Sequence, residues 1–234
     1  MTNEYKNLVK YILQYGARQN CRNGLQKIIP FWCFNLNFNG TIPNSHILKL
    51  RKMNYKSVEG EFKTLIDPEP LTNVSQLEAN GCNYWKTWAK EDGSINIDYA
   101  NQMHPQLERL IEDIKQEPNS RRHIIDLWNQ DNVYDNNLSL PCCWHNLTFS
   151  VIAGVLYLKW TQRSVDTMIG LPADIFLAYK FMQLVANKCG LIIGTCMFSL
   201  SNVHIYSEHI ENAKILLERT EADYDKPLKF ELKG

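Results

Sequence analysis

Along residues 4–15, Leu8, Tyr11, Ile12 and Tyr15 recur at helical spacing, which predicts an amphipathic helix. Trp32, Phe34, Leu36 and Phe38 then alternate with Cys33, Asn35 and Asn37 and run into Asn39-Gly40. A strand and a tight turn are expected there. Asp67-Pro68-Glu69-Pro70 breaks the pattern. Beyond it, Leu107, Leu110, Ile111 and Ile114 share one face of a helix predicted to open at Pro105, and His123 to Trp128 reads as a strand. Asn146 to Trp160 resembles two strands joined at Ala153-Gly154. A longer helix after Pro172 stops at Gly190, followed by a strand from Leu191 to Leu200, a helix from Glu208 to Arg219 and a short strand near Leu228 to Leu232. Helices and strands mix without strict alternation, which predicts an α+β fold with a mixed β-sheet and helices packed on one of its faces. No repeat, low-complexity tract or Gly/Ser linker interrupts the chain, so residues 1–234 are expected to form a single domain.

Composition narrows the function classes. With 234 residues and 44% hydrophobic content the chain can bury a sizeable core. Lys+Arg and Asp+Glu are equal at 25 each, which removes the usual composition-level case for nucleic acid or an acidic membrane as partner. Any positive site must therefore be local. Met1 to Lys10 is charged and lacks the apolar centre of a signal peptide, and the longest apolar stretch, Phe149 to Leu158, is about half a membrane span. A cytoplasmic protein is expected. Seven cysteines, an odd number at scattered positions, read as reduced thiols.

One candidate for chemistry is Leu140-Pro141-Cys142-Cys143-Trp144-His145, between two predicted strands. Three readings fit it: buried cysteines used as small hydrophobes, a zinc site with His145, His204 or His209, and a nucleophile. No CxxC or HxxxH spacing occurs, so no metal is expected. A nucleophile needs cationic surroundings to hold a thiolate. Ser120-Arg121-Arg122, Gln162-Arg163-Ser164 and Arg22 in Asn20-Cys21-Arg22-Asn23-Gly24 all flank predicted strands. Each arginine alone reads as a solvated surface residue. Gathered together they would form the forked dianion site that a nucleoside monophosphate requires.

Leu140-Pro-Cys-Cys143, Gln162-Arg-Ser-Val-Asp166, Gly170-Leu-Pro172 and His204-Ile-Tyr206-Ser207-Glu-His209 follow one another in an order and spacing that resembles the thymidylate synthase family. Arg22 with Gly24, Glu61, Trp85, Trp88, Tyr99 and Ser120-Arg121-Arg122 fall where that family has its phosphate loop, catalytic glutamate, aromatic wall and partner-subunit arginines. The resemblance implies a thymidylate synthase-like fold, a sheet-to-sheet homodimer, and transfer of one carbon from 5,10-methylenetetrahydrofolate to C5 of a pyrimidine nucleotide. Cys143 would add to C6 and make C5 nucleophilic. Glu61 would manage protons at the ring through water, and Tyr99 would assist loss of the C5 proton. Arg22, Arg163 and Ser164, with Arg121 and Arg122 from the partner subunit, would hold the phosphate, and Arg163 would lower the pKa of Cys143. His204 and Tyr206 would bond the sugar. Asp166 and Gly170, with Trp85 and Trp88, would meet the folate.

The helix after Gly170-Leu-Pro172 carries Asp174 where the family places a uracil-reading asparagine. A carboxyl group that shares a proton with N3 matches the N3 acceptor and 4-amino donor of cytosine. In this feature the chain resembles the deoxycytidylate hydroxymethylases of T-even-type phages. Asp174 also stands where a helix N-cap belongs, and the residues alone leave both readings open. Trp144 and Thr148 replace an expected histidine and glutamine, the phosphate loop keeps only Gly24, and the chain ends at Gly234 without a long closing tail. A looser lid would admit water, giving 5-hydroxymethyl-dCMP, as suits a phage that marks its own DNA. Methylation of dCMP or dUMP, hydroxymethylation of CMP, and an inactive nucleotide- or RNA-binding relative are the alternatives.

Overall fold

The computed structural model describes residues 4–38, 50, 53–131, 133, 134, 137–223, 226, 228 and 230. Helix α1 spans Glu4–Tyr15 and buries Tyr5, Leu8, Val9 and Ile12. Its apolar stripe thus lies one position round from the predicted one: Tyr11 and Tyr15 are exposed, and Tyr11 packs its ring on Tyr15 and on Trp32 at the helix flank. Strands β1 (Ala17–Cys21) and β2 (Gly24–Asn37) form a hairpin whose turn carries Arg22 and Asn23. The predicted turn at Asn39-Gly40 lies outside the described residues.

Two helices in the middle of the chain were not anticipated from its pattern. Helix α2, Tyr55–Leu65, is capped by Asn54, and α3, Val74–Ala79, opens with a capping box between Asn73 and Gln76. Residue 60 of α2 has to be glycine, because a Cβ there would lie 2.4 Å from the backbone oxygen of Asn80. Helix α4 runs from Asp98 to Gln116, which corrects the expected opening at Pro105. The buried stripe Leu107, Leu110 and Ile114 continues upstream through Met103 and Tyr99, and burying that longer face outweighs the one helical hydrogen bond that proline forfeits.

Strand β3, Ile124–Asp126, precedes the hairpin of β4 (Trp144–Ile152) and β5 (Val155–Gln162), which turns at Ala153 and Gly154 with φ of 50° and 77°. After the two-residue strand β6, Val165–Asp166, helix α5 runs from Gly170 to Cys189 and closes on Gly190 in the left-handed region. Strand β7, Ile192–Tyr206, extends past its predicted end, and α6, Ile210–Glu218, follows a 3₁₀ turn at Ser207–His209. Of the expected final strand, Leu228 and Phe230 belong to no strand and the remaining positions lie outside the described residues.

Among the described residues the strands make one sheet in the order β1-β2-β7-β5-β4-β3, with β6 beside β7. Most neighbours are antiparallel, whereas β5–β7 and β6–β7 are parallel. The sheet is therefore mixed and the fold α+β, as expected. Phe34, Phe198, Trp160 and Leu147 lie in register on one face and are buried. Helix α5, apolar nearly all round, packs against β5 and β7 and is flanked by α2 and α4. On the opposite face Phe31, Cys33, Asn35 and Lys159 are exposed. No helix among the described residues is long and apolar enough to cross a membrane.

Candidate functional site

A cavity of about 620 Å³ opens between α2, the 3₁₀ segment Tyr84–Trp88, the first turns of α5 and the ends of β5, β6 and β7, with the β1–β2 turn at its mouth. That volume is in the range of a small-molecule site. Cys143, Glu61, Tyr99, Asp174, Arg22, Ser164, His204, Tyr206, Trp85, Trp88, Asp166 and Gly170 all line it. Residues from both ends of the chain thus converge on one space. Three predicted residues do not line it. Arg163 lies behind the Pro141–Cys143 loop, and Arg121 and Arg122 are exposed before β3, where Arg122 lines a separate cavity beside α4.

Cys143 ends the loop that leads into β4. Arg163 braces this loop from behind: its Nε donates to the carbonyl oxygen of Cys142 at 2.8 Å and its Nη2 to that of Pro141 at 3.1 Å, while its own backbone N–H donates to the oxygen of Cys143 at 2.8 Å. The guanidinium also lies 5.5 Å from the ring centre of Trp128. Burial pushes the Cys143 thiol up to about 11, with Asp174 and Asp166 adding to the rise and Arg163 opposing it. The expectation that Arg163 lowers this pKa holds for its own contribution, but desolvation is larger, so the net shift is upward. Cys142 is a packing thiol, buried and pointed at the carbonyl of Leu127.

Asp174 lies inside the first turns of α5 and not at the cap. The helix starts four residues earlier, after Ile169, so the N-cap reading is corrected. No side chain caps this helix; just before it, Asp166 Oδ1 accepts from the backbone N–H groups of Met168 and Ile169 at 2.9 and 3.2 Å, closing a turn. Asp174 Oδ2 accepts from Gln162 Nε2 at 2.8 Å. The amide of Gln162 is oriented by Trp160, whose Nε1–H can only donate and meets Gln162 Oε1 at 3.2 Å. Burial pushes the Asp174 carboxyl up to about 8, the Gln162 bond opposing it and Glu61 and Asp166 adding to it. The shift favours the protonated carboxyl, a form able to donate as well as accept.

Glu61 sits on α2 and is held at both oxygens: Trp85 Nε1 donates to Oε1 at 2.9 Å, and the Tyr84 hydroxyl donates to Oε2. Burial raises its pKa against these two bonds. The Tyr99 ring packs against Trp85 and Trp144, and burial, with Glu61 and the two cysteines, holds its phenol well above the ordinary value. His204 lies two residues beyond Asn202, which has a φ of 47° within β7. His204 Nδ1 donates to the carbonyl oxygen of Asn202 at 2.8 Å, and its buried Nε2 has no protein partner among the described residues. No cluster of metal-ligating side chains occurs among the described residues.

Sequence reasoning missed Tyr84, Gln162, Asn54, Ser57 and Trp144 as lining residues. Gln162 had a signal, since it opens the quoted Gln-Arg-Ser motif. Tyr84 had none, because only the fold brings it to Glu61.

A family model described as thymidylate synthase matches residues 3–233. Among solved structures, the thermostable thymidylate synthase A from Bacillus subtilis superposes with a TM-score of 0.79 at 26% sequence identity, over 92% of this chain and 83% of that chain. A mixed sheet with helices on one face, a cysteine and a glutamate meeting across one cavity, and a family match over nearly all residues agree: this chain belongs to the thymidylate synthase family.

Proposed function

We propose that this protein transfers a one-carbon unit from 5,10-methylenetetrahydrofolate to C5 of deoxycytidine monophosphate and releases the 5-hydroxymethyl nucleotide. Membership of the family supports folate-dependent transfer to a pyrimidine nucleotide. The observation that carries the finer reading is Asp174, a buried carboxyl in the same cavity as Cys143 and Glu61, shifted up to about 8. A protonated carboxyl donates to N3 of cytosine and accepts from its 4-amino group, whereas uracil offers a donor at N3 and an acceptor at O4. Such a mismatch between buried partners discriminates by several powers of ten.

The other residues take roles that fit their surroundings. Cys143 adds to C6, after which C5 attacks the carbon donor. Burial opposes its ionisation and Arg163 favours it. His204 Nε2 accepts from a sugar hydroxyl, and Tyr206 stands beside it with ring centres 4.9 Å apart. Arg22 and Ser164 face the phosphate. Arg163 acts through the loop it braces, and Arg121 and Arg122 are supplied across a homodimer that covers the open face of the sheet. The folate wall fits a flat aromatic ring with amide edges: Trp85 and Trp88 offer indole surface, and Asp166 retains its Oδ2 beyond the oxygen used at the helix start. Bound methylenetetrahydrofolate supplies one carbon at the oxidation level of formaldehyde.

The test is incubation with dCMP, CMP and dUMP, each tritiated at C5, with mass analysis of the products. Tritium release from dUMP alone overturns the cytosine reading. Dihydrofolate formed in step with product favours the second reading, methylation, to which the two retained indoles lend support. Turnover that survives Cys143→Ala removes the covalent mechanism, and absence of turnover with every nucleotide supports an inactive binding relative.

A further inference from the structure

The Tyr84 hydroxyl is a feature of the cavity that the reaction as described leaves unused. It lines the cavity together with Trp85, Trp88 and Glu61. It donates to Glu61 Oε2 while the neighbouring residue, Trp85, donates to Oε1. Consecutive residues of one 3₁₀ segment thus take hold of both oxygens of a buried carboxyl from a different helix. Each carboxylate oxygen has a second lone-pair site. With one site on each oxygen occupied, the rotation of the carboxyl is fixed and the remaining sites are available to a molecule in the cavity.

We propose that Tyr84 is a positioning residue for Glu61, and that by fixing this carboxyl at the cavity wall it makes water, rather than hydride, the reactant at the C5 methylene. The proposal rests on the hydroxymethyl reading above. In the step concerned, the water oxygen bonds to the methylene carbon on C5 and the proton it loses passes to Glu61. The electron pair of the C5–methylene double bond returns to the ring, restores the C5–C6 double bond and expels Cys143 from C6 as thiolate. Nothing is oxidised or reduced, so tetrahydrofolate leaves as such.

Two further observations agree. Burial and the charge of Glu61 push the Tyr84 phenol far above its ordinary value, so it stays a donor throughout the working pH range. The bond from Tyr84 also lowers the pKa of Glu61 against the rise caused by burial, which keeps more of the carboxylate ready to take a proton. Glu61 faces Cys82 and Tyr84 from the segment after α3, Tyr99 from α4 and Asp174 from α5. Of these, Tyr84 is the one whose hydrogen bond pulls the Glu61 pKa down together with that of Trp85.

The experiment compares wild type with Tyr84→Phe, which keeps the ring and removes the donor. Three quantities are read: hydroxymethyl product per tritium released from C5-labelled dCMP, the pH profile of kcat, and dCMP affinity by tryptophan fluorescence. The expected result is a tenfold or larger fall in product per tritium. The acid limb of kcat moves up by about one pH unit, and dCMP affinity stays within about threefold. On a Glu61→Gln background the same substitution has no further effect, because Tyr84 acts through Glu61. An unchanged ratio and limb in Tyr84→Phe overturns the role of Tyr84 alone, as does an additive effect on the Glu61→Gln background. A wild-type enzyme that yields only methyl product with dihydrofolate overturns the hydroxymethyl reading itself, and the proposal with it. If Tyr84→Phe and Tyr84→Leu both fail to bind dCMP, Tyr84 is structural and the proposal falls.

Discussion

Gln162 Nε2 donates to Asp174 Oδ2 at 2.8 Å, and its amide cannot flip without setting two donors against each other, because Trp160 Nε1–H already occupies Gln162 Oε1. One oxygen of Asp174 is thereby committed to accepting from protein, which favours the other as the site of the acidic proton. A chain of three side chains on α5 and β5 thus sets the hydrogen-bonding groups that Asp174 presents to the cavity.

Trp160→Phe removes the donor that orients Gln162 and leaves a core ring in place. The expected outcome is a roughly tenfold loss of discrimination between dCMP and dUMP, read as the ratio of kcat/KM values from tritium release, with a smaller loss in Tm than a cavity-forming substitution would cause.

Asp174→Asn replaces the proton-sharing group by a carboxamide. The kcat/KM for dCMP is expected to fall by about 10³ or more, and that for dUMP to rise. On the proposed reading the protonated carboxyl is the competent form, so kcat/KM for dCMP is expected to fall as pH rises through about 8. In the variant this alkaline limb disappears. Stability runs with the same sign. The folded pKa lies above the unfolded value of about 3.9, so the folded state holds the extra proton between those values and stability declines from pH 4 to 8. Above pH 8, Asp174→Asn should melt a few degrees higher than wild type.

Arg163→Gln removes the cation that opposes the burial of Cys143 and loosens the carbonyls of Pro141 and Cys142. The thiol pKa should rise further above about 11. Alkylation of Cys143 by iodoacetamide at pH 9 should slow by up to about tenfold, since the thiolate is the reactive form. Faster alkylation would mean that the loop had opened and that its bracing outweighs the charge.

Gly60→Ala places a methyl group against backbone, 2.4 Å from the oxygen of Asn80 and 3.0 Å from the nitrogen of Cys82. Neither atom can swing away as a flexible side chain would, so α2 must shift from the segment that carries Tyr84 and Trp85. A cost of about 1–3 kcal/mol in stability is expected. Glu61 adjoins this residue, so kcat should fall more than KM rises, measured by tritium release beside a thermal melt.

Much of the candidate site is legible in the chain itself. Cys143, Arg163, Asp166, Asp174 and His204 lie in short runs whose spacing carries the family likeness. The β4–β5 hairpin and α5 announce themselves through Ala153-Gly154 and Gly190, because turn and cap geometry is local. Pro105 misled because its local preference for a helix start was overridden by the apolar face that continues to Tyr99. Helix α2 escaped notice although it carries Glu61, for its pattern is weaker than its burial.

What could not be read from the order of residues is the state of the groups that line the cavity. Desolvation depends on which distant segments close over a side chain. It turns Asp174 into an acid near pH 8 and outweighs Arg163 at Cys143. The hold of Tyr84 on Glu61 likewise spans 23 positions and two elements. Residue identities and their spacing carry the family likeness, the candidate nucleophile Cys143 and the unusual aspartate. Protonation and orientation were settled by burial and by hydrogen bonds between residues that only the folded chain brings together.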